Sequence, residues 1–398
     1  MRSGTVTLEV GFEAPAAVRD ALAAMGRTED IRLSPNGRRL AFAGYGGGRI
    51  AIADVEFTST ASGPEVAVTS LDWLASPDLR EPHGVDFVDD DTLVVADRIA
   101  GIFVFRLPGP GGTGGLTRIY ATDGGPSAAL DAPGSVVVRS NGSGHEVLLC
   151  ENWENKILRH TLVDGALAPG EVVAHKWLDV PDGLTISEDG RWLAVSNHNA
   201  HSVFIYVSSA LGEHSDPVAI LRGVRYPHGL RFTRNSRRLV VADAGAPRVH
   251  VFVSPDGGWR GVGYPTASIR VMDDEAFALG HREVQDGGPK GIDLDPRTNV
   301  LVVTSEFLPL AFFDLTEALD ESGDGLGDEA LVEYELHVLS EVNRIKDAGH
   351  AARASLAEVP ADEGVAVDEA DARRVRGDAT TEVAPPRPRR MNVHGRLR

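Results

Sequence analysis

Short apolar runs separated by polar turns recur along this chain. The clearest unit is Tyr226-Pro227-His228-Gly229-Leu230-Arg231-Phe232, a polar turn over Thr233–Arg238, then Leu239-Val240-Val241-Ala242-Asp243. Alternation in the first run and continuous apolar character in the second are both strand patterns. Related units begin at Pro82-His83-Gly84, Pro133-Gly134, Pro181-Asp182-Gly183 and Pro289-Lys290-Gly291, with a degenerate copy at Glu29-Asp30-Ile31. Anchored on residues 30, 84, 134, 183, 229 and 291, successive copies lie 54, 50, 49, 46 and 62 residues apart. A period near 50 built from strands and turns signals radial repetition of small sheets. The pattern predicts an all-β chain, a six-bladed β-propeller over residues 30–345.

The flanks read differently. Residues 1–29 contain an alternating stretch, 4–12, and a short surface helix over Pro15–Met25. A strand ahead of the first repeat is placed to pair with the last blade and close the ring, which removes exposed sheet edges. The long step before the sixth copy is expected to hold a loop over one face, Ala267 to Gly288. No helix is expected between anchors 84 and 291. Glu333–Leu339 is expected as the fourth strand of blade 6. Asp320–Glu329 resembles half a calcium loop but has Leu331 where a glutamate ligand belongs, and reads as an acidic hairpin tip. Residues 346–398 read as a short helix and a disordered, charged tail. The arginines of the tail, Arg387, Arg389, Arg390, Arg396 and Arg398, are where a partner protein would be met.

Composition narrows the function. A net charge of −19 argues against nucleic acid and against an anionic membrane surface, and leaves small-molecule ligands open. The single cysteine, Cys150, sits in an apolar run and reads as a buried thiol. Neither a signal peptide nor a run near 20 apolar residues is visible, so a cytoplasmic protein is expected.

The chemistry lies at the head of each first strand. The residue before each anchor is Glu29, His83, Pro133, Asp182, His228 and Lys290. A closed ring brings equivalent positions to one axis, with Glu29 opposite Asp182, His83 opposite His228, and Lys290 to one side. Packing alone would place small or apolar residues there. Two imidazoles and two carboxylates suit a divalent metal, zinc or calcium, with Glu29, His83, Asp182 and His228 as ligands. Lys290, Asp182 and His228 are the candidate catalytic groups, Lys290 as general acid or as an anchor for an anionic group. A second ring, one strand further on, holds Asp97, Asn197 and Asp243, which are expected to cap turns. His198 and His201 lie in a loop on the same face.

Pro-His-Gly-Val, Pro-Asp-Gly-Leu and Pro-His-Gly-Leu, with second strands ending Val-Ala-Asp or Val-Ser-Asn, resemble the NHL and SMP-30/gluconolactonase-like six-bladed propellers over about residues 30–340. In the gluconolactonase-like branch the resemblance implies one axial divalent metal held by Glu, Asn and Asp. Asp182 matches the Asp, Glu29 holds a strand-head position without the surrounding motif, and none of the six positions is Asn. In the peptidyl-hydroxyglycine lyase branch it implies zinc on histidines, of which His83 and His228 match two. The expected function is a metal-assisted, lactonase-like hydrolase acting on a small molecule at the central mouth. The alternatives are a non-catalytic propeller that binds a ligand or protein, and a zinc-dependent lyase.

Overall fold

The computed structural model describes residues 8–44, 47–109, 115–121 and 130–320. The expectations for 320–345, including the calcium-like loop and the strand at 333–339, and for 346–398 lie outside them.

Each repeat folds as an antiparallel sheet, and six sheets follow one another around an axis. The first strands are Thr28–Leu33, Pro82–Asp89, Pro133–Ser140, Pro181–Ile186, Pro227–Phe232 and Gly291–Asp295. Each is the innermost strand of its blade, and the sheets extend outward from it. The second strands are buried at every position, from Arg39–Gly44 in blade 1 to Val300–Ser305 in blade 6, except Arg238 in blade 5 and His145 in blade 3. This burial on both faces explains their continuous apolar runs. The core is the set of seams between blades. Leu93, Val95 and Phe105 of blade 2 pack with Ala41, Ala43 and Ile50 of blade 1, and Leu239, Val241 and Phe252 of blade 5 with Ala194, Val203 and Ile205 of blade 4.

The ring closes through the N-terminal segment. Glu9–Val10 pairs antiparallel with Leu308–Asp314 and is the fourth strand of blade 6. Two residues on, Phe12–Glu13 pairs parallel with the outer strand of blade 1, Gly63–Ala75. Phe12 stacks edge-on against Phe312 at 5.3 Å. The helix after it, Ala16–Ala23, buries Val18 and Leu22 beside blade 1.

Two expectations are corrected. The long step before blade 6 supplies the fourth strand of blade 5, Ala267–Arg270, before any loop begins. It then forms a seven-residue helix, Asp274–Gly280, capped by Asp273 through Ala276 N, so a helix does lie between anchors 84 and 291. The third strand of blade 1, Arg49–Thr60, forms a long hairpin with Gly63–Ala75. Among the described residues no helix is long and apolar enough to cross a membrane.

Candidate functional site

The head of each first strand is built by the same device. The proline pairs with the last residue of the second strand, Pro82 with Asp97, Pro181 with Asn197 and Pro227 with Asp243, and a bulge follows. The bulge turns the next residue inward. The anchor glycine comes next because the neighbouring blade leaves no room. A methyl at Gly183 would land on His228 O, and one at Gly229 on Lys290 O. Blade 1 has Asp30 in that place, and its carboxylate accepts Val85 N of blade 2 at 3.3 Å. The residue before the proline is left-handed in blades 3 and 4, Ala132 at φ 56° and Val180 at φ 54°. For a β-branched valine this is strain on the order of 1–3 kcal/mol. It is held by Asn155 Oδ1 on Val180 N and by the bond from His198 N to Val180 O.

Glu29, His83, Asp182, His228 and Lys290 converge as expected. His228 Nε2 stands 3.2 Å from Asp182 Oδ2 and 3.4 Å from Glu29 Oε2. His83 Nε2 stands 3.7 Å from both Asp182 Oδ1 and Glu29 Oε2. Carboxylate and imidazole therefore alternate around the axis. Lys290 Nζ donates to Glu29 Oε2 at 3.1 Å and lies 3.4 Å from Asp286. Arg27 Nε reaches Glu29 Oε1 at 2.5 Å, and Arg98 Nη2 reaches His83 Nε2 at 2.7 Å. Glu29 and His83 are each only 1% exposed.

The sixth position departs from expectation. In blade 3 Pro133 pairs with Glu151 as Pro181 does with Asn197, so the residue facing the axis is Gly134, not Pro133. A side chain at 134 would land on Asn152 Oδ1. Asn152, one residue past the second strand, fills that space and donates Nδ2 to Asp182 Oδ1 at 2.9 Å. The amide absent from the six strand heads is thus supplied from a neighbouring loop. A third histidine arrives in the same way. His198 lies 3.9 Å from Asp182, its ring 6.2 Å from that of His228, and its Nδ1 is bonded to Pro227 O.

Burial acts against every charge here, and the neighbours decide the outcome. Burial alone would raise the Glu29 carboxyl, but Arg27 and Lys290, helped by His228 and His83, hold it well below its ordinary value. Asp182 is lowered against burial by His228, His83 and Arg98. Burial and then Arg98 push His83 well down, so it is neutral and accepts from Arg98. Burial lowers His198 to about 4. Two buried polar atoms of the cluster, His83 Nδ1 and Asn152 Oδ1, have no hydrogen-bond partner among the described residues.

Asp97, Asn197 and Asp243 do cap turns. Asp97 accepts Arg80 N, Glu81 N, Ile99 N and Ala100 N, and Asp243 accepts Arg225 N, Tyr226 N and Gly245 N. Asn197 accepts Asp179 N and donates to Trp177 O. His201 stacks edge-on against Tyr226 at 4.6 Å and takes no part in the cluster.

A second charged layer crosses the axis three residues further along the first strands. Arg32 Nη2 donates to Val136 O and Leu184 O across the ring, and its Nε lies 3.5 Å from Asp86. Arg231 Nε donates to Asp293 at 2.8 Å, and its Nη2 to Ile31 O. Burial raises Asp30, Asp86 and Asp293 to about 6, with Arg32 opposing it in each. Aligning the third residue of each copy would have displayed this layer, which the sequence reading missed.

One open groove, of about 590 Å³, lies far from this chemistry, between the closing strand at Glu9 and the blade 1 hairpin at Glu65. Its described lining offers carboxylates and no imidazole or cationic side chain, whereas the axis carries both.

The family described as the lipoprotein LpqB beta-propeller domain matches residues 4–143. No curated protein matches the sequence. Similar solved structures include a functionally unknown protein from Desulfotomaculum acetoxidans, at 14% identity, covering 75% of this chain and 84% of that one, with a TM-score of 0.48. A luciferin-regenerating enzyme is 12% identical over 78% of this chain and 90% of that one, with a TM-score of 0.48. The PQQ domain of pyranose dehydrogenase from Coprinopsis cinerea is 14% identical over 72% of this chain and 92% of that one, with a TM-score of 0.49. Identities this low say nothing of what the chain does; the described residues form a six-bladed β-propeller.

Proposed function

We propose that this chain is a divalent-metal-assisted hydrolase of the SMP-30/gluconolactonase-like and NHL group, acting on a small ester or lactone at the axis. One observation carries the reading. Glu29, His83 and His228 offer ligand atoms that all lie within 4.8 Å of one another, with Glu29 Oε2 3.7 Å from His83 Nε2 and 3.4 Å from His228 Nε2, and Asp182 stands beside both imidazoles, its Oδ1 3.7 Å from His83 Nε2 and its Oδ2 3.2 Å from His228 Nε2. Ligands at about 2.0–2.2 Å from a four-coordinate ion are separated by roughly 3.2–3.6 Å. The spacing of these three is close to that of donors around a common centre, and Asp182 turns a different oxygen to each histidine. Two imidazoles with two carboxylates favour zinc over calcium, which takes six to eight oxygens.

Bound there, the ion would polarise a carbonyl oxygen or lower the pKa of a water. The protein's own groups supply the rest. Arg27 and Lys290 hold Glu29, and Asn152 holds Asp182, so the carboxylates present fixed oxygens. Arg98 must leave His83 Nε2, and Asp182 Oδ1 at 3.7 Å is its waiting partner. Lys290 carries a proton for a leaving alkoxide and a charge for an anionic group. Asp286, 3.4 Å from Lys290 Nζ and 3.7 Å from Arg27 Nη2, balances the charge of the two cations that hold Glu29.

The burial of Glu29 and His83 favours a second reading, in which the ion is structural and the propeller binds without catalysis. Elemental analysis of protein purified without chelator, with assays on simple lactones and esters, separates the two. The hydrolase reading expects one ion per axial site and hydrolysis lost in His83→Ala/His228→Ala. An ion that only raises Tm supports the second reading. Protein that neither carries nor takes up a divalent ion at the axis ends both.

A further inference from the structure

We infer that the surface of blade 4 carries a separate transition-metal site formed by His175, Glu213 and His214. The three residues offer ligand atoms that all lie within 4.8 Å of one another. His175 Nε2 stands 3.2 Å from His214 Nδ1. Two nitrogens sharing a tetrahedral zinc at 2.0–2.1 Å are about 3.3 Å apart. The imidazole planes cross at 73° with centroids 5.4 Å apart, so the rings approach through their nitrogens and not face to face. Without an ion this contact is a single N–H···N bond; a metal takes a lone pair from each ring, and the bridging proton moves to the other nitrogen of the donor ring, leaving both imidazoles neutral.

The loops bearing these residues are tied together independently of any ion. His175 lies in the connection between blades 3 and 4. Glu213 and His214 lie between the third and fourth strands of blade 4. Asp216 bridges the two, accepting from Lys176 Nζ at 3.2 Å and from Trp177 Nε1 at 2.9 Å. The 210–216 turn is braced by Ser215, whose Oγ donates to Ala210 O and accepts Gly212 N, while its N donates to Gly212 O. Trp177 O is held by Asn197 Nδ2. The ligands are therefore pre-positioned, which lowers the ordering cost of binding. Two imidazoles and one carboxylate select zinc, nickel or copper over calcium and magnesium. Three protein ligands leave the fourth place on the solvent side, and the ion staples the inter-blade connection to the outer edge of blade 4.

Zinc titration of the full chain by calorimetry, with His175→Ala/His214→Ala and His83→Ala/His228→Ala beside it, tests the site. The surface variant is expected to lose one zinc equivalent relative to wild type and to keep its fold, since both side chains lie at the surface. The axial variant is expected to retain that equivalent, and excess calcium not to displace it. Failure of the axial proposal alone leaves one zinc in the wild type and none in the surface variant. Equal zinc binding by the wild type and the surface variant overturns the inference.

Discussion

Asn152 occupies the space that Gly134 leaves open at the axis. A side chain at 134 would land on Asn152 Oδ1, and the amide so seated donates to Asp182 Oδ1 at 2.9 Å. The two residues act as one, so their substitutions should not add. Gly134→Ala is expected to displace the amide and weaken divalent-ion binding about as much as Asn152→Ala, roughly 10–100-fold as for other groups that orient a ligand. The double variant should be no worse than Asn152→Ala. Calorimetric metal affinities for the four proteins check this, and additive losses would break the coupling.

The anchor glycine of blade 4 faces backbone rather than a yielding side chain. Gly183→Ala drives a methyl into His228 O and against Ser196 Oγ. The inner strands of blades 4 and 5 must then separate, at a cost of about 3 kcal/mol in unfolding free energy. Urea denaturation measures it. A change within about 0.5 kcal/mol, the range of an ordinary surface substitution, would show that the close approach is not rigid.

The lower charged layer makes stability depend on pH. Asp86 and Asp293 titrate near 6 in the fold against a usual 3.8, because burial disfavours their charge. A folded-state pKa that is raised means the folded chain holds the proton more tightly than the unfolded chain. Their contribution is fully present below about 3.8 and is lost as pH rises through about 6. Relative to Asp86→Asn/Asp293→Asn, the wild type should lose on the order of 5 kcal/mol between pH 4 and pH 7, from two groups each raised by about 2 pKa units. Parallel stability curves for the two proteins would refute this.

Deleting residues 8–13 removes the fourth strand of blade 6 and the Phe12–Phe312 contact together. Blade 6 is left with an open edge at Leu308–Asp314. The deletion should lower Tm by at least several degrees, about 2 °C or more for each kcal/mol lost. It should also open the last strand to proteolysis, read by mass spectrometry of the fragments. An unchanged Tm would mean the ring closes by other contacts.

Five members of the axial cluster were legible because the anchor spacing alone puts equivalent residues on one axis. Blade 3 was misread by one residue. Its Pro133-Gly134 lacks the residue that separates Pro from Gly in Pro181-Asp182-Gly183, and only the pairing of Pro133 with Glu151 shows which position faces inward. The second layer escaped for another reason. Residues 29 and 32 are three apart and would point to opposite faces of a regular strand. The shift in register between Thr28 and Asp30 brings both to the axis, and no alternation rule applied to the sequence reveals a bulge. The strand expected at 333–339 lies outside the described residues. The closing strand, by contrast, was legible: the alternating stretch 4–12 was placed against the last blade, and Glu9–Val10 pairs there.

That closing pair also sets an order of events during synthesis. Val10 leaves the ribosome long before Phe312, its partner across the seam. At about 5–20 residues per second, the interval is roughly 15–60 s. Through that time Phe12 and its neighbours have no aromatic counterpart in blade 6, and blades 1 to 5 form an arc without a clasp. A nascent chain of this kind is exposed to chaperones and to pairing with another copy's last blade until its own arrives. Residues translated ahead of blade 1 are among the last to find their place.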